Sequence, residues 1–138
     1  MSDTIKQRPG PMRLIDATQY RLPPAAWVSI LHRVSGVIML ALLPFIIWLL
    51  DKSLESDITY QFLADVFVGG LGFVPGWFFK LVVLALIWSY LHHFIAGVRH
   101  LWMDATHSVS KEFGRSSAFV TLGLSLALTL ALGIKLFI

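Results

Sequence analysis

The chain contains no cysteine. That absence excludes a disulfide framework, cysteine-ligated zinc, thiol catalysis, c-type haem attachment and any iron–sulfur cluster held by this chain itself. Charge is also scarce. Only 14% of the 138 residues are Asp, Glu, Lys or Arg, where a soluble domain carries about 25%. Apolar residues reach 57%, above the roughly 45–50% of soluble domains. A water-soluble globule of this size has too little polar surface to cover itself on these terms, and the same composition excludes disorder and a collagen repeat. The length suits one domain over 1–138 and is too short for a transporter built from two large repeats. A net charge of +3 does not mark a nucleic-acid binder; its distribution reads instead as loop topology.

What the chain has in quantity is apolar helix. Crossing the hydrocarbon core takes about 20 mostly apolar residues. Three stretches lack Asp, Glu, Lys and Arg altogether: Val34–Leu50, Leu81–Val98 and Ser116–Ile134. With their flanks they predict an all-α membrane domain of three transmembrane helices, at about 25–50, 77–104 and 116–137. A signal peptide is not expected, because the first apolar run begins late, is long, and is not followed by a small-residue cleavage site. Five basic residues (Lys6, Arg8, Arg13, Arg21, Arg33) precede or open the first span. Arg99, Lys111 and Arg115 lie around the second connection, while the first connection is mainly acidic, with Asp51, Glu55, Asp57 and Asp65. The positive-inside rule therefore places the N-terminus and second connection in the cytoplasm, and the first connection and C-terminus outside. Leu54–Phe67 mixes apolar and acidic residues ahead of Gly69-Gly70-Leu71-Gly72 and Pro75-Gly76. This pattern predicts a short interfacial helix and then a turn into span two. Trp27, Trp48, Trp77 and Trp102, with Phe78 and Phe79, fall near span ends, where aromatic anchors belong.

Ionisable groups inside a span are costly and mark function by default. Two clusters stand out. The first is Ser29-Ile30-Leu31-His32-Arg33-Val34-Ser35-Gly36. Ser29 and Arg33 are four apart and share a helix face. A hydroxyl and a guanidinium together suit a carbonyl or quinone oxygen, a carboxylate or a phosphate. The structural alternative is that Arg33 snorkels to lipid phosphates while Ser35 and Gly36 are small packing residues. The second cluster runs from His92-His93 to Asp104. His93, Gly97, His100 and Asp104 step by four, three and four residues, so they form one stripe, with His92 about 100° away. An intramembrane histidine with glycine one turn later suits haem, since the imidazole ligates iron and the bare backbone admits the macrocycle. Arg99 and His100 lie nearer the membrane surface, toward which propionates would point. The structural alternative is a histidine bonded across to a neighbouring helix. In the third span Thr121, Ser125 and Thr129 recur every four residues and read as a polar packing seam.

At these residues the chain resembles the cytochrome b556 subunits of succinate dehydrogenase, the larger membrane anchors of respiratory complex II. The signature S-x-x-H-R-x-S-G stands at Ser29–Gly36, and H-x-x-x-G-x-R-H-L-x-x-D at His93–Asp104. Arg8-Pro9 and Tyr20-Arg21-Leu22-Pro23 look like the family's approach to the first span, whereas Gly10-Pro11-Met12 replaces its common Ser-Pro-His triplet. The resemblance implies a multi-pass protein of the bacterial inner membrane, acting in electron transport and the tricarboxylic acid cycle. It implies ubiquinone binding by Ser29 and Arg33, with His93 as one axial ligand of haem b. His32, Arg33 and His100 become candidates for the haem propionates, and Asp104 for proton delivery. His93 is preferred to His92 on the four-residue step to Gly97. The implied partners are a flavoprotein carrying FAD, an iron–sulfur subunit, and a second small anchor that supplies the other haem histidine. The chain is then not catalytic alone but a subunit of a succinate dehydrogenase (ubiquinone) complex. An anchor of a quinol:fumarate reductase, or a non-catalytic membrane scaffold or small transporter, are the alternatives.

Overall fold

The computed structural model describes residues 10, 11, 13, 15, 16 and 19–138. Lys6 and the Arg8-Pro9 pair lie outside the described residues, as does Met12. Among the described residues there are four helices: α1 (Pro24–Glu55), α2 (Asp57–Gly69), α3 (Gly76–Thr106) and α4 (Lys111–Phe137). Three of them, α1, α3 and α4, are long and apolar enough to cross a membrane. The molecule is all-α, and each expected span lies within one of these helices.

The helix ends follow local chemistry more than the limits of the apolar runs. Pro24 starts α1, where a missing N–H costs nothing. The α1–α2 break falls at Ser56, whose hydroxyl accepts from the Thr59 N–H at 3.2 Å while the Thr59 hydroxyl accepts from the Ser56 N–H at 3.1 Å. This reciprocal box starts α2 with its own cap. The predicted short helix is therefore present, with Leu63 and Val66 buried. The glycine-rich turn follows: Gly70 and Gly72 take φ values of 93° and 59°, which bulkier residues avoid. Leu71 and Val74 exchange two backbone hydrogen bonds of 2.8 and 3.0 Å across the turn. Gly76 then opens α3 so close to α2 that a Cβ there would stand 2.7 Å from the Phe67 carbonyl oxygen. α3 ends at His107 in the left-handed conformation, with φ 55°, and Ser110 caps α4 by accepting from the Phe113 N–H at 3.2 Å.

α3 is the central element, packed on α1 along one side and α4 along another. Its seam with α1 is sealed by small groups, with Val28 and Ala96 fully buried. Its seam with α4 uses Gly114, Ala118, Thr121, Ser125, Thr129 and Gly133, all buried. The expected polar seam is thus in place, and its hydroxyls are satisfied on their own helix. Thr121 donates to the Ser117 carbonyl at 2.9 Å and Thr129 to the Ser125 carbonyl at 2.7 Å. Trp27, Trp48, Trp77 and Trp102 each expose about half their surface or more, as anchoring side chains do.

Candidate functional site

His92 and His93 are chain neighbours with opposite environments, because one helical residue turns the side chain by about 100°. His92 points toward α4 and is fully buried. Its Nδ1 lies 3.1 Å from the Ser125 hydroxyl and its ring stacks on Trp88 at 5.4 Å. The Ser125 hydroxyl donates to the Leu122 carbonyl at 3.1 Å, so it receives the His92 Nδ1–H. Nε2 of His92 is buried without a hydrogen-bond partner. His92 is bonded across to a neighbouring helix, as the structural alternative describes, and His93 is too, toward α1.

His93 points the other way, toward α1. Its Nδ1 lies 3.0 Å from the His32 backbone carbonyl oxygen and 3.3 Å from the Ser35 hydroxyl. A carbonyl only accepts, so the proton sits on Nδ1 and the lone pair on Nε2. A metal-ligating histidine is commonly anchored in this way: one ring nitrogen donates to a backbone carbonyl and the other is free to ligate. α1 makes room for the ring at Gly36, where a Cβ would stand 3.1 Å from His93 Cε1.

Around this ring the structure gathers the other histidines of the two motifs. The His32 ring stacks on His93 with centroids 4.0 Å apart and planes 15° from parallel. His100 meets His32 edge-on at 5.3 Å. Gly97 lies beside this group, and a Cβ there would meet only His32 Nε2, at an ordinary 3.5 Å. Packing within the chain therefore does not require glycine at 97, although glycine inside a helix costs about 1 kcal/mol relative to alanine. The side chain that covers the bare backbone at 97 is that of His32. An Nε2 lone pair on His93, a glycine one turn on that the His32 side chain covers, and basic side chains beyond them are the groups a haem would use here. Among the described residues no cluster of three or more His, Asp and Glu side chains is placed to cage a bare metal ion.

The remaining candidates are distributed as follows. Ser29 is half-buried and Arg33 exposed, both on the first turns of α1, and among the described residues neither side chain takes part in an ion pair. Asp104 is exposed in the last turn of α3, one turn beyond His100. Arg99 departs from the expected direction. It is turned toward α4, where Nε donates to the Ser117 hydroxyl at 2.9 Å and Nη2 to the Gly114 carbonyl at 3.1 Å. It is a tie between α3 and α4, and it leaves the surface-facing role on this side to His100. Ser35 was not distinguishable from a packing residue in the sequence; its spacing three residues after His32 was the available signal.

A family model described as succinate dehydrogenase/fumarate reductase transmembrane subunit matches residues 6–132. The chain belongs to that family. Two of its curated relatives carry the name succinate dehydrogenase cytochrome b556 subunit. The one from Coxiella burnetii (strain RSA 493 / Nine Mile phase I) is 33% identical over 118 residues, covering 85% of this chain and 90% of the relative. The one from Paracoccus denitrificans is 30% identical over 99 residues, covering 72% and 71%. A succinate dehydrogenase cytochrome b560 subunit from Reclinomonas americana is 30% identical over 113 residues, covering 82% and 77%. As a transmembrane subunit of this family the chain is a multi-pass membrane protein, in keeping with its three apolar helices. The family match spans both histidine-bearing motifs.

Proposed function

We propose that the chain is the membrane-anchor subunit of a bacterial succinate:ubiquinone oxidoreductase, holding part of the quinone site and half of a haem b pocket. The observation that carries the reading is the His93 imidazole, fixed through Nδ1 by the His32 carbonyl with Nε2 left to ligate. The cytochrome b names of the relatives support haem b as the group. Haem b, when bound, supplies a one-electron store within the membrane. His93 would hold it through Nε2, Gly97 would let it approach the α3 backbone once the His32 side chain yields, and His32, Arg33 and His100 would pair with its propionates. A second small anchor subunit would supply another histidine.

Ser29 and Arg33 bind the quinone. The Arg33 guanidinium and the Ser29 hydroxyl donate to a quinone carbonyl oxygen and stabilise the negative charge that grows there on reduction, which a low-dielectric site strengthens. Asp104 lies at the same end of α3 as His100, where it passes protons toward that oxygen. This end faces the cytoplasm, and α2 lies in the opposite interface. Without cysteine or a flavin motif the chain leaves succinate oxidation to a flavoprotein subunit and electron conduction to an iron–sulfur subunit. The family description also covers fumarate reductases, and in that variant the same site delivers electrons from quinol.

The test is a reduced-minus-oxidised spectrum of the purified complex carrying His93→Ala or His92→Ala. The b-type band is expected to vanish in His93→Ala and persist in His92→Ala. The reverse pattern assigns the ligand to His92, and a wild-type complex with no b-type band removes the haem from the reading.

A further inference from the structure

We propose that Ser35 is a positioning residue for His93: with the His32 carbonyl it clamps the Nδ1–H and so sets the tautomer, ring plane and donor strength of the imidazole. The proposal rests on His93 being the haem ligand. Ser35 is fully buried at the contact of α1 with α3. Its hydroxyl donates to the His32 carbonyl at 2.8 Å. That bond uses the hydroxyl hydrogen and leaves the oxygen lone pairs, one of which faces His93 Nδ1 at 3.3 Å. The ring nitrogen thus shares its proton between two acceptors that are themselves bonded together. A ring held at one point can swivel about it, whereas two acceptors define a plane. The His32 ring at 4.0 Å on one face and the empty position at Gly36 complete the slot.

The chain supplies its own control. Ser89 is also fully buried and also returns its hydroxyl to its own helix, donating to the Ala85 carbonyl at 2.7 Å. It makes no hydrogen bond to a histidine, and it is what a purely packing serine looks like. Ser35 differs from it in the acceptor it turns toward His93.

Acceptors on the distal N–H of an axial imidazole increase its basicity and push electron density toward the metal. Electron donation favours ferric over ferrous iron, so the clamp lowers the haem potential. Replacing the hydroxyl by hydrogen leaves only the His32 carbonyl to accept.

The experiment uses the intact complex with Ser35→Ala, Ser35→Thr, Ser89→Ala and His93→Ala. The readouts are the haem-to-flavin ratio, a redox titration and the low-spin ferric EPR signal. Ser35→Ala is expected to retain haem, to hold a severalfold smaller ferric fraction at the wild-type midpoint, and to shift the largest g value as the ring turns. Ser35→Thr keeps a hydroxyl able to bond both ways and is expected to match wild type, as is Ser89→Ala. Should Ser35→Ala not assemble, as judged by flavin content, Ser35→Cys preserves the volume with a much weaker acceptor and carries the same expectation. A potential that is unchanged or lowered overturns the clamp, and so does Ser35→Thr behaving like alanine. Haem retained in His93→Ala overturns the ligand reading itself. Haem lost there, with the potential unmoved in Ser35→Ala, overturns the clamp alone.

Discussion

The polar side chains within the spans divide by what satisfies them. His92 and Ser125 form a closed pair between α3 and α4, and their role is cohesion. Ser125→Ala leaves the buried His92 Nδ1 without an acceptor and is expected to cost about 0.6–2 kcal/mol, the scale of hydrogen bonds between membrane helices. The double variant Ser125→Ala/His92→Leu removes both partners and is expected to recover most of that loss. Thermal unfolding of the detergent-purified complex checks both, with the haem band as a witness that His93 is untouched. Arg33 belongs to the opposite class, exposed and without an ion pair among the described residues. Arg33→Leu removes a charge-assisted hydrogen bond worth about 1.5–3 kcal/mol and is expected to slow quinone reduction about 10- to 100-fold. Electron transfer from succinate to a water-soluble dye is expected to stay normal, and a matching loss of both rates points to failed assembly instead. The candidate ligand was legible in the sequence because a four-residue step to Gly97 separates His93 from His92 on the helix. The clamp was not, because a backbone carbonyl such as that of His32 leaves no mark in residue identity.

At the scale of helices, apolar runs locate the spans well and their ends poorly. The stretch expected at 25–50 continues as helix to Glu55, and the one expected at 116–137 begins at Lys111. Helical hydrogen bonding does not stop where the lipid does. It stops at Ser56, at the left-handed His107 and before Ser110, where capping groups take over the free ends. The elbow between α2 and α3 is the most tightly built of these junctions. At Gly76 a methyl group would press on the Phe67 and Val68 carbonyl oxygens at 2.7 and 2.8 Å, so only a backbone shift admits it. Gly76→Ala is expected to destabilise the complex by about 1–3 kcal/mol. Gly69→Ala, with nothing within 4 Å of the added atom, is expected to be neutral or slightly stabilising. Thermal midpoints of the two variants measured side by side decide between a packed elbow and a loose one.

For the molecule as a whole, the distribution of basic residues forecasts direction, and the absence of native thiols makes that direction easy to measure. Phe73 in the first connection and Val109 in the second are 98% and 76% exposed. Phe73→Cys is expected to react with a membrane-impermeant maleimide on intact spheroplasts, and Val109→Cys only in inside-out vesicles. Labelling in the reverse order inverts the proposed topology. Both functional motifs sit at one end of the helix pair α1–α3, and a single structural detail ties them more closely than proximity does. The carbonyl that accepts from His93 and the nitrogen of Arg33 belong to the same planar peptide group. Atoms of a rigid plane cannot turn independently. If a ligand pulls on Arg33 hard enough to rotate that plane, the acceptor behind the imidazole rotates with it, so under the proposed roles occupancy of the quinone position and the electronic state of the His93 ring would share one mechanical degree of freedom.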